Sequence, residues 1–219
     1  MCLLGKSSMG RALAAWLMVA SAFAAPAATP RDIVESSVTR VVTVLQDAQA
    51  GRLSVGRQRT EIKRIAADLF DFEEMARLTL PRDWAVRTPE ERAEFVRLLT
   101  QLLERTYIRK IESYAGERIV YLGANVDGDY ATVRSKVTSS RRHLETPVDY
   151  RLSYMKDGHW RVYDVLIDGV SFVSTYRSEF GRVIQRSSYQ ALVETLSQRV
   201  TAAAVNSTRG APASPHTMP

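Results

Sequence analysis

The tightest constraint on this chain's fold is a change of period inside one stretch, His159 to Phe180. Its first half predicts a strand: Val162, Tyr163, Val165, Leu166 and Ile167 are β-branched, aromatic or aliphatic, and only Asp164 interrupts them. That pattern suits a strand covered on both faces. Its second half predicts a helix, because Val170, Val173, Tyr176, Phe180 and then Ile184 recur at the three-and-four spacing of one helical face. The switch falls at Asp168-Gly169, with Asp168 or Ser171 as the helix cap and Gly169 allowing the backbone to leave the sheet. A strand feeding straight into an amphipathic helix calls for a sheet with helices packed on it.

The segments around this switch supply both. Arg31 to Ala50 carries Ile33, Val34, Val38, Val41, Val42 and Leu45 at helical spacing, with Gly51 as its stop. A second helix, Val55 to Leu69, has a thin apolar face (Ile62, Ile65, Leu69), and Arg57, Arg59, Lys63 and Arg64 form a solvated opposite side. Asp71 caps a short third helix with Glu74 three residues on, and this capping role also explains the acidic cluster Asp68, Asp71, Glu73 and Glu74 without a metal. Thr88-Pro89-Glu90-Glu91 opens a long helix as cap, first-turn proline and capping-box glutamate. Its wide stripe runs through Phe95, Leu98, Leu99, Leu102, Leu103, Thr106, Tyr107 and Ile111 to Tyr114-Ala-Gly116. Such a stripe is either core or one wall of a cavity, and periodicity does not separate the two.

After Gly116 the period becomes two. Arg118–Leu122 and Tyr130–Ser139 flank the predicted turn Asn125-Val-Asp-Gly128, and Thr146–Met155 alternates Val148, Tyr150, Leu152 and Tyr154 with Asp149, Arg151 and Ser153. With the strand at Trp160 these make four consecutive strands. The expected fold is α+β: a curved four-stranded antiparallel sheet packed by N-terminal and C-terminal helices. A last helix, Tyr189 to Val200, closes it.

The two ends differ in composition from this domain of residues 25–200. Lys6 and Arg11, an apolar run from Ala12 to Ala24 and the small residues before Ala25-Pro26 form a secretory signal over residues 1–24. The run is about 13 residues, short of the roughly 20 that span a bilayer. Cleavage there removes Cys2, the one cysteine, so the exported chain is expected to hold no disulfide and no thiolate. It also lowers the formal charge from +6 to +4. That mild, scattered excess favours anionic surfaces weakly and gives no nucleic-acid footprint. Residues 201–219, rich in Ala, Pro, Ser and Thr, are expected to be a disordered tail.

Chemistry-bearing motifs are sparse. His143, His159 and His216 share no ligand spacing, and the chain has neither a phosphate-binding glycine loop nor a Gly-x-Ser-x-Gly elbow. The one assembly to weigh is Ser171 with His159 and Asp164. Asp164 points to the opposite strand face from Tyr163 and Val165, and nothing puts His159 between acid and hydroxyl. Helix capping by Ser171, with Asp164 bound to Arg177 or a backbone amide, accounts for both. No catalytic residue, metal or cofactor is therefore expected.

Trp160, Tyr163-Asp164, Gly169-Val170-Ser171, Tyr176-Arg177 and Phe180 resemble, in order and spacing, the C-terminal signature of the MlaC family. The likeness continues upstream in Phe70-Asp71-Phe72, Met75, Trp84, Thr88-Pro89-Glu90-Glu91-Arg92, Phe95, Leu103 and Thr106-Tyr107, with Leu80-Pro81 standing where the family has Leu-Gly. Those proteins are periplasmic phospholipid carriers, also known as toluene-tolerance ABC-transporter auxiliary components. The resemblance implies a half-open cone with an apolar cavity for acyl chains. It also implies a shuttle serving outer-membrane lipid asymmetry, between an outer-membrane lipoprotein–porin complex and an inner-membrane ABC transporter with its substrate-binding ring. A periplasmic adaptor holding a protein or peptide segment in the same groove is the alternative. From strand alternation and helix faces, the candidate lining is Leu102, Tyr107 and Ile111; Val148, Tyr150, Leu152 and Tyr154; Val165 and Ile167; and Val170, Phe172, Val173 and Tyr176. Each is equally a core candidate. Arg177 is the candidate for the head-group phosphate, or else for Asp164.

Overall fold

The structure, a computed structural model, describes residues 28–139 and 144–209. The expected signal segment, the end of the tail, His143 and His216 lie outside the described residues. The helix starts follow from local chemistry. Thr29 and Asp32 form a reciprocal capping box for α1 (Pro30–Gln49), as Thr88 and Glu91 do for α4 (Pro89–Glu112), each with proline in its first turn. Ser54 caps α2 (Val55–Leu69), and Asp71 caps α3 (Phe72–Thr79) by accepting the Glu74 N–H at 2.9 Å. The Leu80-Pro81 departure is absorbed in a turn whose Trp84 N–H donates to the Leu80 carbonyl at 2.8 Å, leading into a single 3₁₀ turn, Trp84–Val86.

The strands β1 (Arg118–Asp127), β2 (Tyr130–Ser139), β3 (Leu144–Tyr154), β4 (Trp160–Ile167) and β5 (Val170–Ser171) form an antiparallel meander in chain order. The α+β reading holds, with two corrections. The first hairpin turns at Gly128-Asp129, with Asp127 paired to Tyr130, so Asn125 and Val126 belong to a longer β1 instead of the turn. The sheet also has five strands. Asp168 (φ 50°) and Gly169 (φ 76°) both adopt left-handed backbone and join Ile167 to its partner Val170. Positive φ at both central residues is the type I′ requirement that Asp-Gly meets. The chain thus makes a tight hairpin before it becomes helical, and α5 (Phe172–Arg186) starts after Ser171. α6 (Tyr189–Arg209) continues past Val200, so the expected tail from Thr201 is helical as far as Arg209.

Two irregularities curve the sheet. Register slips at Leu122 in β1, between Tyr121 and Gly123, and at Tyr163 in β4, where Arg151 faces Asp164 but Leu152 faces Val162. Each extra residue bends its strand and adds twist. The bulge at Tyr163 also resets alternation, putting Val162 and Val165 on the same inward face.

Three apolar clusters hold the fold. A helical core joins α3, the first half of α4, α5 and α6 around Phe95, Leu98, Leu99, Phe180, Leu192 and Leu196, with Phe95 meeting Phe180 edge-on at 5.7 Å between centroids. A second cluster plugs one end of the inward sheet face with Val34, Leu69, Ala131, Val133, Leu152 and Val162. A third, Val44, Leu45, Ile62 and Ile65, ties α1 to α2. The Asp71 N–H donates to the Val162 carbonyl at 2.9 Å, pinning the corner between α2 and α3 onto β4.

A two-lobed apolar cavity between helices and sheet

Between the plugged end of the sheet and the third cluster the interior is not filled. The open space has two adjoining lobes, of about 560 and 430 Å³, each in the range of small-molecule sites. The first lies under α1 and α2 and is lined by Val38, Val41, Val42, Leu45, Ile65, Ile119, Leu144 and Thr146. The second lies between α4 and the sheet and is lined by Phe72, Met75, Leu103, Tyr107, Ile108, Val148, Val165, Ile167 and Phe172. Ile62, Ala66, Phe70, Lys110, Ile111, Val137 and Tyr150 border both. A third, smaller space of about 290 Å³ continues outward from the second past Tyr107, Lys110, Ile167 and Phe172 to Val170, Thr175, Tyr176 and Glu179.

The candidate lining residues therefore divide. Tyr107, Ile111, Val148, Tyr150, Val165, Ile167 and Phe172 border the main lobes, and Val170 and Tyr176 border the outer space alone. Leu102 and Leu152 are buried in filled core instead, and Val173 is buried in the first turn of α5 without bordering either lobe. Alternation set Leu152 on the inward face correctly, but Val133 and Val162 occupy the space beside it. Tyr154 continues the same row past the covered end of the sheet, where it is 42% exposed and leans on Trp160 at 5.1 Å. Arg177 borders none of these spaces, nor does it reach Asp164. Its Nε donates to the Leu78 carbonyl at 2.8 Å, a tether from α5 to α3.

Several lining residues escaped the sequence reading. Val38, Val41 and Val42 read in the sequence as ordinary helix face, and Ala66 lies beside the thin apolar face of α2. That thinness was the available signal: a small residue beside Ile62 and Ile65 leaves room where a large one would fill it. Lys110 was also missed. It sits within the last turn of α4 between Tyr107 and Ile111, a cation set into an apolar stripe.

The polar groups around the cavity are nearly all committed. Arg59 grips Glu112 with both ends of its guanidinium (2.7 and 3.0 Å), and Lys63 meets Glu104 at 2.6 Å, so both pairs clamp α2 to α4. Desolvation pushes the Tyr150 hydroxyl up to about 12 and raises those of Tyr107 and Tyr176 as well, keeping the lining phenols neutral at ordinary pH. Among the described residues Lys110 has no ion-pair partner, and its Nζ lies 5.5 Å from the centroid of the Tyr107 ring.

Ser171 and Asp164 do come together, but as a cap. The Ser171 hydroxyl donates to Asp164 Oδ2 at 2.6 Å and accepts the Ser174 N–H at 3.0 Å, while Asp164 Oδ1 accepts the Val173 N–H at 3.1 Å. Arg151, 3.4 Å away, is the cation that Asp164 meets. His159 is exposed at the turn before β4, and its backbone N–H donates to Asp157. The hydroxyl is thus spent on starting α5, and no imidazole stands between it and the acid.

Comparison with known proteins agrees with the resemblance seen in the sequence. The family model described as MlaC protein matches residues 35–198. The toluene tolerance protein Ttg2D of Pseudomonas putida is 24% identical over 164 residues, covering 74% of this chain and 75% of the relative. Among solved structures, the phospholipid-binding protein of Ralstonia solanacearum, in complex with a phospholipid, superimposes with a TM-score of 0.71 at 25% identity. The match covers 81% of this chain and 99% of that one.

Proposed function

The chain belongs to the MlaC family, and on that premise we propose that it binds a phospholipid by its acyl chains and carries it across the periplasm between membrane complexes. The observation that supports this most is the cavity: two apolar lobes meeting at a common border, in a fold shared with a protein that holds a phospholipid. One acyl chain per lobe is the arrangement we assign.

The energetics favour a carrier with few polar anchors. A two-chain phospholipid exposes about 30 methylenes, at ~0.8 kcal/mol each on the order of 20 kcal/mol, so unaided crossing of water is very slow. A useful carrier offers an apolar surface of free energy comparable to the bilayer, since one that bound far more tightly would not unload. An apolar cavity left empty forfeits dispersion contacts along its whole lining, and acyl chains restore them. Donor and acceptor on this reading are an outer-membrane lipoprotein–porin complex and an inner-membrane ABC transporter with its substrate-binding ring. The carrier itself binds no nucleotide and catalyses no reaction.

The test is mass spectrometry of organic extracts from the exported protein purified without detergent. About one two-chain phospholipid per chain is expected. A folded protein that is empty as purified and stays empty after incubation with vesicles would overturn the proposal and turn attention to a protein or peptide segment in the groove.

A further inference from the structure

Among the described residues, Lys110 is the only one that borders all three cavity spaces. Resting on the carrier reading above, we propose that its ammonium receives the phosphate of the bound lipid and gives the carrier a preference for net-anionic head groups. The argument is one of elimination by neighbours. Among the described residues four carboxylates lie near this junction, three of them in ion pairs and the fourth holding a backbone N–H. Glu104 meets Lys63 at 2.6 Å, Glu112 meets Arg59, Glu179 meets Arg199 at 2.6 Å, and Glu117 accepts the Ala115 N–H at 2.7 Å. Among the described residues Lys110 is the one cation on these linings without an ion-pair partner, since Lys63 is held by Glu104.

Its position also solves a geometric problem. If one acyl chain enters each lobe, the glycerol and phosphate must sit where the lobes meet and where water still reaches them. Lys110 is exposed, stands at that shared border, and extends from the last turn of α4, where the helix dipole favours a cation. A phosphate there is held by charge from one side and leaves its substituent free in water. A zwitterionic head group brings its own ammonium into competition with Lys110, whereas phosphatidylglycerol does not. One cation facing an anionic lipid is worth about 1 kcal/mol, which is about a fivefold preference.

The experiment incubates the exported protein with vesicles of equimolar phosphatidylglycerol and phosphatidylethanolamine. It then measures total lipid phosphorus per chain and the ratio of the two lipids in the extract. Wild-type protein is expected to take up phosphatidylglycerol in about fivefold excess. Lys110→Glu should abolish that excess in the lipid it still takes up, and Lys110→Arg should keep it. Arg109→Glu makes the same charge change one residue away, outside the cavity lining, and should leave the ratio as it is. Lys110→Met serves as the neutral variant should the glutamate disturb the fold, read by circular dichroism. An unbiased wild-type ratio overturns the Lys110 assignment, as does a ratio that survives both Lys110 variants or moves equally with Arg109→Glu. Absence of lipid uptake by wild type overturns the carrier reading itself.

Discussion

The first half of α4 runs through a filled core and its second half through an open cavity, although both halves carry the same three-and-four apolar pattern. Around Phe95, Leu98 and Leu99 the stripe meets α3, α5 and α6, and large rings close every gap, as Phe180 and Tyr189 do against Phe95. Around Tyr107, Ile108 and Ile111 it meets a sheet curved by two bulges and a helix that answers with Ala66, and space stays open there although Phe70, Phe72 and Phe172 line it. The lesson is that an apolar stripe specifies burial but not filling. Filling depends on how many elements cover the stripe and on the sizes of the residues opposite.

That contrast is broken most severely at its filled end. Phe95 is fully buried, and Phe95→Ala should cost about 3–5 kcal/mol. At roughly 2–4 °C per kcal/mol the melting temperature then falls by on the order of 10 °C. The matching change at the open end, Ile111→Ala, should cost under about 1 kcal/mol in the lipid-free protein, because Ile111 is half-buried and already borders empty space. Equal losses in a thermal melt would erase the distinction between core and cavity.

The joint between the two regions is the next target. Asp164 holds the start of α5 through the Ser171 hydroxyl and the Val173 N–H, and α5 reaches both the helical core and the outer space. Asp164→Ala frees two donors and leaves Arg151 without its carboxylate. A loss of about 2 kcal/mol in denaturant titration is expected. A loss within about 0.5 kcal/mol, the size of an ordinary surface change, would show that the cap is dispensable.

A smaller effect comes from the cavity's own titration. The folded state holds Tyr150 neutral, with its pKa at about 12 against an ordinary value near 10. Below pH 10 the phenol is protonated folded and unfolded, and its contribution is complete. Between pH 10 and 12 the unfolded chain ionises first, so stability falls as pH rises. Tyr150→Phe should remove about 1 kcal/mol of that loss at pH 11, read as a flatter alkaline profile by chemical denaturation. An unchanged slope would mean the hydroxyl is not desolvated at the lobe border.

What the sequence made legible was local. The caps at Asp71 and Thr88, the bounds of α2 and the alternation of β3 follow from short-range chemistry and were read directly. The fifth strand was also written locally, in Asp168-Gly169, but the helical period beginning at Val170 masked a hairpin signal two residues long. The bulge at Tyr163, the division of α4 and the difference between Leu152 and Tyr150 were not legible, because each depends on what a distant segment places opposite. In the sequence Arg177 is a candidate for the head-group phosphate or else for Asp164. The Leu78 carbonyl that occupies it comes from another element.

The mildest change in stability should carry the clearest functional consequence. Ala66 faces both lobes from α2, and space lies beyond its methyl group in each. Overpacking a filled core costs about 1–3 kcal/mol because neighbours must move. Here a larger side chain meets a void, so Ala66→Phe should leave the melting temperature of the lipid-free protein unchanged or slightly raised. The same ring occupies the border where two acyl chains would have to part, and lipid recovered per chain should fall at least tenfold. If Ala66→Phe instead destabilises the protein as a core substitution does, the space around Ala66 is closed in solution. If it is stable and still fully loaded, the acyl chains do not lie in these lobes. A stable but empty protein is the outcome that an open cavity beside a filled core requires.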